Sequence, residues 1–177
     1  MDSPNSQAKM NDFQSQSDYS NVTFTKVKLE AGRVNGKEFY DCVFDHCALR
    51  ESTFRDCKFN DCIFQDCDLG LVRFDQSLFS ETRFERCKVM GVNWTLATWS
   101  RFQSASPIHF TECVVDFSAF IGLTLRSITF QKCSAKEVEF SDADLSFADF
   151  SGTDLAKSRF QQTNLTRANF VNATNYS

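Results

Sequence analysis

The hydrophobic pattern of this chain has a period of five. From Phe24 through Leu29, Val34 and Phe39 to Trp94 and Trp99, sixteen successive fifth positions hold Phe, Leu, Val or Trp. The pattern then slips and resumes at Phe110, running through Val115 and Phe120 to Leu165 and Phe170. Sixteen of the twenty phenylalanines lie on this lattice. An amphipathic helix requires a period near 3.6 and a half-buried strand a period of two, so neither accounts for it. Six glycines and two prolines are too few to punctuate a series of hairpins. A short extended stretch followed by a turn, repeated, does fit. In each repeat the lattice residue (position i) and the residue two before it (i−2) face inward, and the others face outward. Four repeats then close a square coil of twenty residues. Successive coils stack through backbone hydrogen bonds at the inter-strand spacing of ~4.8 Å. The predicted fold class is all-β, a quadrilateral β-helix.

The outward positions carry nearly all the charge, as in Arg50, Glu51, Arg55, Asp56, Lys58 and Asp61. Toward the C-terminus the blocks become regular: ADLSF, ADFSG, TDLAK, SRFQQ, TNLTR and ANFVN, from Ala143 to Asn172. These blocks resemble the pentapeptide repeat family, whose pattern is A-(D/N)-L-x-x. The resemblance covers residues 22–175 and implies a right-handed quadrilateral β-helix, a pentapeptide repeat solenoid. The expected organisation is a flexible polar tail over 1–20, rich in Ser, Gln, Asn and Asp, and a single β-helix over 21–175. A short irregularity is expected at 100–109, where SRFQSASPIHF uses eleven residues for what two repeats cover in ten. Pro107 within it cannot donate a ladder hydrogen bond, so a bulge or small loop is expected. Gly32 and Lys37 occupy inward i−2 positions and predict an irregular first coil.

Composition removes several function classes. The net charge of −4 with both signs mixed lacks the basic footprint of a nucleic-acid-binding surface. No apolar run reaches the length of a membrane span, and the N-terminal stretch has no secretory layout, so a cytoplasmic location is expected. All eight cysteines stand at i−2, where Ala, Ser, Thr and Val also occur, and read as small buried side chains. At twenty-residue spacing Cys47, Cys67 and Cys87 share one column, Cys42 and Cys62 a second, and Cys113 and Cys133 a third. A linear ladder of sulfurs offers no tetrahedral convergence, so neither metal nor cofactor is expected. The two histidines, His46 and His109, point outward and lie far apart. No nucleophile-and-base constellation can be assembled, and the chain reads as non-enzymatic.

Charge gives the positive lead. Coil spacing aligns Asp41, Asp61 and Glu81, and separately Asp45 with Glu85, with Asp66 nearby, in a predicted acidic strip along one face. Such a strip imitates the phosphate line of DNA to a protein built to bind DNA. Beside the slip, Arg101, Phe102 and Gln103, with Met90 and Leu96, form a second candidate contact patch. The segments CKVMGVNWT (Cys87 to Thr95) and CVVDFSAFIGLTLRSITFQKC (Cys113 to Cys133) are similar to the Qnr/MfpA/microcin-immunity branch of the family. That resemblance implies a DNA mimic that binds DNA gyrase or topoisomerase IV and protects it from quinolone or peptide-toxin poisons. It implies no direct binding of nucleic acid or membrane. The alternative is a general interaction scaffold with a partner unrelated to topoisomerases. The branch continues past its last repeat into an apolar dimerising segment, whereas NATNYS follows Phe170 closely here. Dimerisation through that segment is therefore not expected, and the expected self-association is a homodimer or end-to-end contact formed at the C-terminal coil itself.

Overall fold

The computed structural model describes residues 8–10, 13, 15–99 and 106–176. The chain winds as a right-handed quadrilateral β-helix in which each repeat supplies one side of the square. On the first face the strands Ala8–Met10, Val22–Thr25, Val43–Asp45, Ile63–Gln65, Thr82–Glu85, Ile108–Thr111 and Thr129–Gln131 form a parallel sheet. On the fourth face Asp18–Ser20, Glu38–Tyr40, Lys58–Asn60 and Leu78–Ser80 form another. The second and third faces, which carry the Leu29 and Val34 repeats, are joined by bridges such as Ala48 with Asp68 and by Arg33–Asn35 pairing with Thr53–Arg55. Above the interruption the register is twenty residues per coil, so Phe24 lies opposite Phe44, and Phe44 opposite Phe64.

This register makes like meet like inside the coil. Phe44 and Phe64 stack with ring centroids 4.2 Å apart, and Phe64 and Phe84 at 5.0 Å. Rings on adjoining faces meet edge-on, as Phe39 and Phe44 do at 5.2 Å and 69°. Both arrangements suit the ring quadrupole, and burying each Phe contributes about 1.5–3 kcal/mol.

The i+2 residues turn the corners, and nearly all adopt left-handed backbone, including Asp41 (φ 51°), His46 (52°) and Glu51 (59°). Only Gly36, Gly91, Gly122 and Gly152 among them lack a Cβ. An L-residue costs about 1–2 kcal/mol in that region. The stack offsets this because corner N–H groups donate to carbonyls of the next coil, Asp41 to Asn60 at 3.0 Å and Glu51 to Gly70 at 2.8 Å.

The i−2 position has a hydrogen-bonding role that its small size conceals. At some corners its N–H closes a tight turn, Ser52 on the Leu49 carbonyl (3.1 Å) and Val72 on that of Leu69 (3.2 Å). At others the side chain one coil further on accepts that N–H. Cys47 donates to Cys67 Sγ at 3.3 Å, Cys57 to Ser77 Oγ at 3.0 Å and Cys87 to Cys113 Sγ at 3.3 Å. The accepting group in turn donates to a lattice carbonyl, Cys67 to Phe44 at 3.2 Å and Ser77 to Phe54 at 3.0 Å. All eight thiols are free and buried. Burial pushes Cys57 up to about 11 and Cys133 up to about 12, so these thiols keep the proton they need as donors.

Four features depart from the sequence pattern. Phe84 stacks on Phe110 at 5.0 Å and Arg83 pairs with His109, so the ladder passes from Trp99 directly to Phe110. The interruption is thus a six-residue insertion beside one repeat, and residues 100–105 lie outside the described residues. Counting along the chain cannot separate that from two repeats plus one residue; only coil-to-coil pairing does. For the same reason Cys113 and Cys133 continue the Cys47–Cys67–Cys87 column, Lys88 pairing with Val114 and Val114 with Ser134. The N-terminal tail gives way to structure well before residue 21, because Ala8–Met10 and Asp18–Ser20 join the sheets. Phe13 and Tyr19 are fully buried, and Phe13 plugs the open end of the coil against Phe24 at 4.9 Å and Phe44 at 5.7 Å. The first coil is regular, and Lys37 turns its Nζ out to the Gln16 carbonyl.

Candidate functional site

Asp41, Asp61 and Glu81 come together as a column at the corner between the fourth and first faces. Each is the i+2 residue of its repeat, with φ of 51°, 52° and 48°. The rungs are tied by the Asp41 N–H on the Asn60 carbonyl (3.0 Å) and the Asp61 N–H on that of Ser80 (2.9 Å). Left-handed backbone aims these side chains away from the rod, and all three are exposed. Among the described residues no Lys, Arg or His lies within ion-pair distance of any of them. The column therefore presents three uncompensated carboxylates at a rise of ~4.8 Å per rung. The described chain on either side of 100–105 pairs with the Glu81 rung, Trp99 stacking on Phe79 and Pro107 accepting from the Thr82 N–H.

The other expected acids belong to a different part of the surface, where each is tied to a neighbouring side chain. Asp45 and Glu85 stand on the first face with Gln65 between them. Asp45 accepts from Gln65 Nε2 (2.9 Å) and contacts His46 Nδ1 (2.7 Å), and these bonds hold its carboxyl below the ordinary value. Asp66 is clasped by Arg86, whose Nε and Nη2 each lie 2.9 Å from a carboxylate oxygen, and it too is held low. Arg86 also reaches Glu85 at 3.6 Å. The acidic strip expected along one face is thus split, with the corner column free of ion-pair partners among the described residues and Asp45, Asp66 and Glu85 tied to Gln65, His46 and Arg86. Asp45, His46 and Asp66 bring ligand atoms within 4.8 Å of one another. The Arg86 guanidinium already fills the cation position at Asp66, so this cluster is an ion-pair network. Arg101, Phe102 and Gln103 lie outside the described residues.

Two further surfaces stand out. Leu71 and Phe117 are 48% and 56% exposed on the corner between the second and third faces, with Gly91 on the rung between them. On the third face, Arg33, Arg55 and Arg73 line one groove with Asp75. Sequence reading passed over these arginines because they alternate between i−1 and i+1 and so miss the twenty-residue spacing. Pairing the two outward positions of one face would have found them.

A rod of stacked coils whose chemistry is confined to columns of side chains defines the class: a β-solenoid presenting periodic surfaces. The chain belongs to the pentapeptide repeat family. The "Pentapeptide repeat region" pattern matches residues 37–116, and the "Pentapeptide repeats (8 copies)" pattern matches 125–162 and 143–174. Two trypsin-treated forms of QnrB1, a plasmid-mediated fluoroquinolone resistance protein, superpose with TM-scores of 0.59 and 0.58 at 17% and 18% identity. These alignments cover 89% of this chain and 83% and 82% of theirs. HetL from the cyanobacterium Nostoc, a pentapeptide repeat protein involved in heterocyst differentiation regulation, aligns over 94% of this chain and 86% of its own. Its identity is 17% and its TM-score 0.38. No curated protein matches the chain by sequence. At these identities the likeness establishes the fold. Among the described residues no helix is long and apolar enough to cross a membrane.

Proposed function

We propose that the protein is a non-enzymatic, cytoplasmic interaction rod whose acidic corner stands in for the phosphate line of DNA. Its partner in this reading is DNA gyrase or topoisomerase IV, which it protects from a quinolone or a peptide toxin. The observation that carries the proposal is the column of Asp41, Asp61 and Glu81, three carboxylates on successive rungs with no cationic partner among the described residues. DNA carries one phosphate per 3.4 Å of rise along each strand, so a carboxylate every ~4.8 Å gives a comparable line of negative charge. A DNA-binding groove would draw in such a line by electrostatic steering. The fold likeness to QnrB1, a fluoroquinolone resistance protein, supports the choice of partner.

The test is a gyrase supercoiling and cleavage assay with and without a quinolone, titrating the protein into the micromolar range. The expected result is reduced drug-trapped cleavage, abolished in the Asp41→Lys, Asp61→Lys, Glu81→Lys triple variant while its melting temperature stays unchanged. No effect of the parent protein on either readout would end the topoisomerase reading and leave a scaffold for another partner. Homotypic contact at the C-terminal coil belongs to the same proposal. There Phe160, Leu165 and Phe170 are only partly buried, and light scattering showing a monomer across concentration would remove it.

A further inference from the structure

We propose that the third face carries a binding site for a single phosphate group. Arg33, Thr53 and Arg73 follow one another in the i−1 column of that face, and Asn35, Arg55 and Asp75 in its i+1 column. Together they line a shallow groove of about 260 Å3. Asp75 organises it. Its side chain is only 10% exposed and accepts from Arg55 Nη2 at 3.2 Å, Arg73 Nε at 3.1 Å and Arg73 Nη2 at 3.0 Å. Two long side chains that would otherwise lose rotamer freedom on binding are therefore held in place beforehand.

Asp75 leaves donors to spare. Arg55 Nε and Nη1, Arg73 Nη1 and the whole Arg33 guanidinium have no acceptor among the described residues. Three guanidiniums against one carboxylate leave two positive charges uncompensated, which matches a phosphate dianion. Planar guanidinium forks suit tetrahedral oxyanions, and Asn35 and Thr53 add neutral donors at the groove wall. The lining has no aromatic or aliphatic wall on which a base or acyl chain would rest. Nor does the positive charge continue down the face, where the next i−1 residues are Asn93, Ala119 and Glu139. A polyanion running along the rod would meet no second row of cations. Recognition is thus of one phosphate group, free or carried by a small molecule. This site is separate from the acidic corner and does not depend on the topoisomerase reading.

The test uses the full chain, titrated with inorganic phosphate or chloride at constant ionic strength and followed by the NMR signals of the arginine Nε–H groups. Phosphate is expected to give saturable shifts at Arg33, Arg55 and Arg73. Arg126, whose Nε is committed to Asp144 at 2.7 Å, serves as the internal control and should stay still. Arg33→Gln should weaken the affinity about tenfold, the worth of one charge-assisted hydrogen bond. A nucleoside monophosphate distinguishes the source: equal affinity indicates phosphate alone and tighter binding a carried phosphate, and either supports the site. Equal responses to chloride, equal movement of Arg126, or an unchanged affinity in Arg33→Gln would overturn it.

Discussion

Replacing Cys87 by alanine and by serine separates two reasons for having cysteine inside the coil. If the thiol only fills space, both variants lose similar volume and stability. If it links coils, they diverge. Cys87 Sγ accepts the Cys67 N–H at 3.4 Å and donates to the Phe64 carbonyl at 3.3 Å. Alanine leaves the Cys67 N–H buried without a partner, at a cost of about 1–3 kcal/mol, and opens a sulfur-sized void worth about 1 kcal/mol more. Serine keeps both bonds, as Ser77 does with Cys57 and Phe54 at 3.0 Å each. The expected destabilisation is about 2–4 kcal/mol for alanine and about 1 kcal/mol or less for serine. For a chain of this size that places alanine roughly 5–15 °C lower in melting temperature. Urea unfolding gives the energies, and amide hydrogen exchange at Cys67 gives the mechanism, since that one amide should exchange faster in Cys87→Ala alone. Equal stability of the two variants, or an unaltered Cys67 amide, would refute the linking role.

Two other outcomes follow from the stack. Phe64→Ala should cost about 3–5 kcal/mol, because the ring is fully buried between Phe44 and Phe84. Phe170→Ala should cost about half as much in urea titration, since Phe170 is partly exposed, stacking on Phe150 and otherwise meeting only the exposed Tyr176 ring at 5.3 Å. Acid should unfold the rod through Asp75, Asp144 and Asp149. Burial alone would raise these carboxyls, but Arg73 and Arg55, Arg126 with Ser146, and Gln131 with Ser151 outweigh it and hold them below 3.8. A folded-state pKa below the unfolded one stabilises above that value and is lost as pH falls through it. Circular dichroism should therefore show stability declining from about pH 4 downward, with Asp144→Asn flattening part of the slope.

The fold was legible because one rule operates along most of the chain: a lattice residue buried, its i−2 neighbour small, the corner exposed. Phe39 to Phe84 and Phe110 to Leu155 keep their lattice residues buried, and the departures are Lys37 at an i−2 position and the partly buried Leu29, Phe160, Leu165 and Phe170. What the sequence withheld lies where pairing between coils, rather than spacing along the chain, decides the outcome. Phe13 sits off the lattice in a polar stretch, and only the open end of the coil explains its burial. The acidic column at Asp41, Asp61 and Glu81 was visible as a twenty-residue spacing. Asp45, Asp66 and Glu85 share similar spacing, yet Asp45 is bonded to Gln65 and His46, and Arg86 clasps Asp66 and reaches Glu85, and only side-chain geometry shows that. The arginine groove was missed because its members lie 22 and 18 residues apart.

The insertion after Trp99 has a consequence for how such a rod changes over generations. Six additional residues enter between Trp99 and Ser106, and the ring stack resumes from Phe84 to Phe110 at 5.0 Å and 17°. On the first face the core register is therefore independent of how many residues stand between Trp99 and Ser106, whereas on the fourth face no bridge among the described residues joins Thr98 to Thr124. Most mutations in a packed domain trade new surface chemistry against stability. Here the stretch between Trp99 and Ser106 can lengthen, shorten or change composition under selection for a partner, while selection for folding acts on the lattice. The solenoid supplies the constant frame, and that stretch is where lineages are free to diverge.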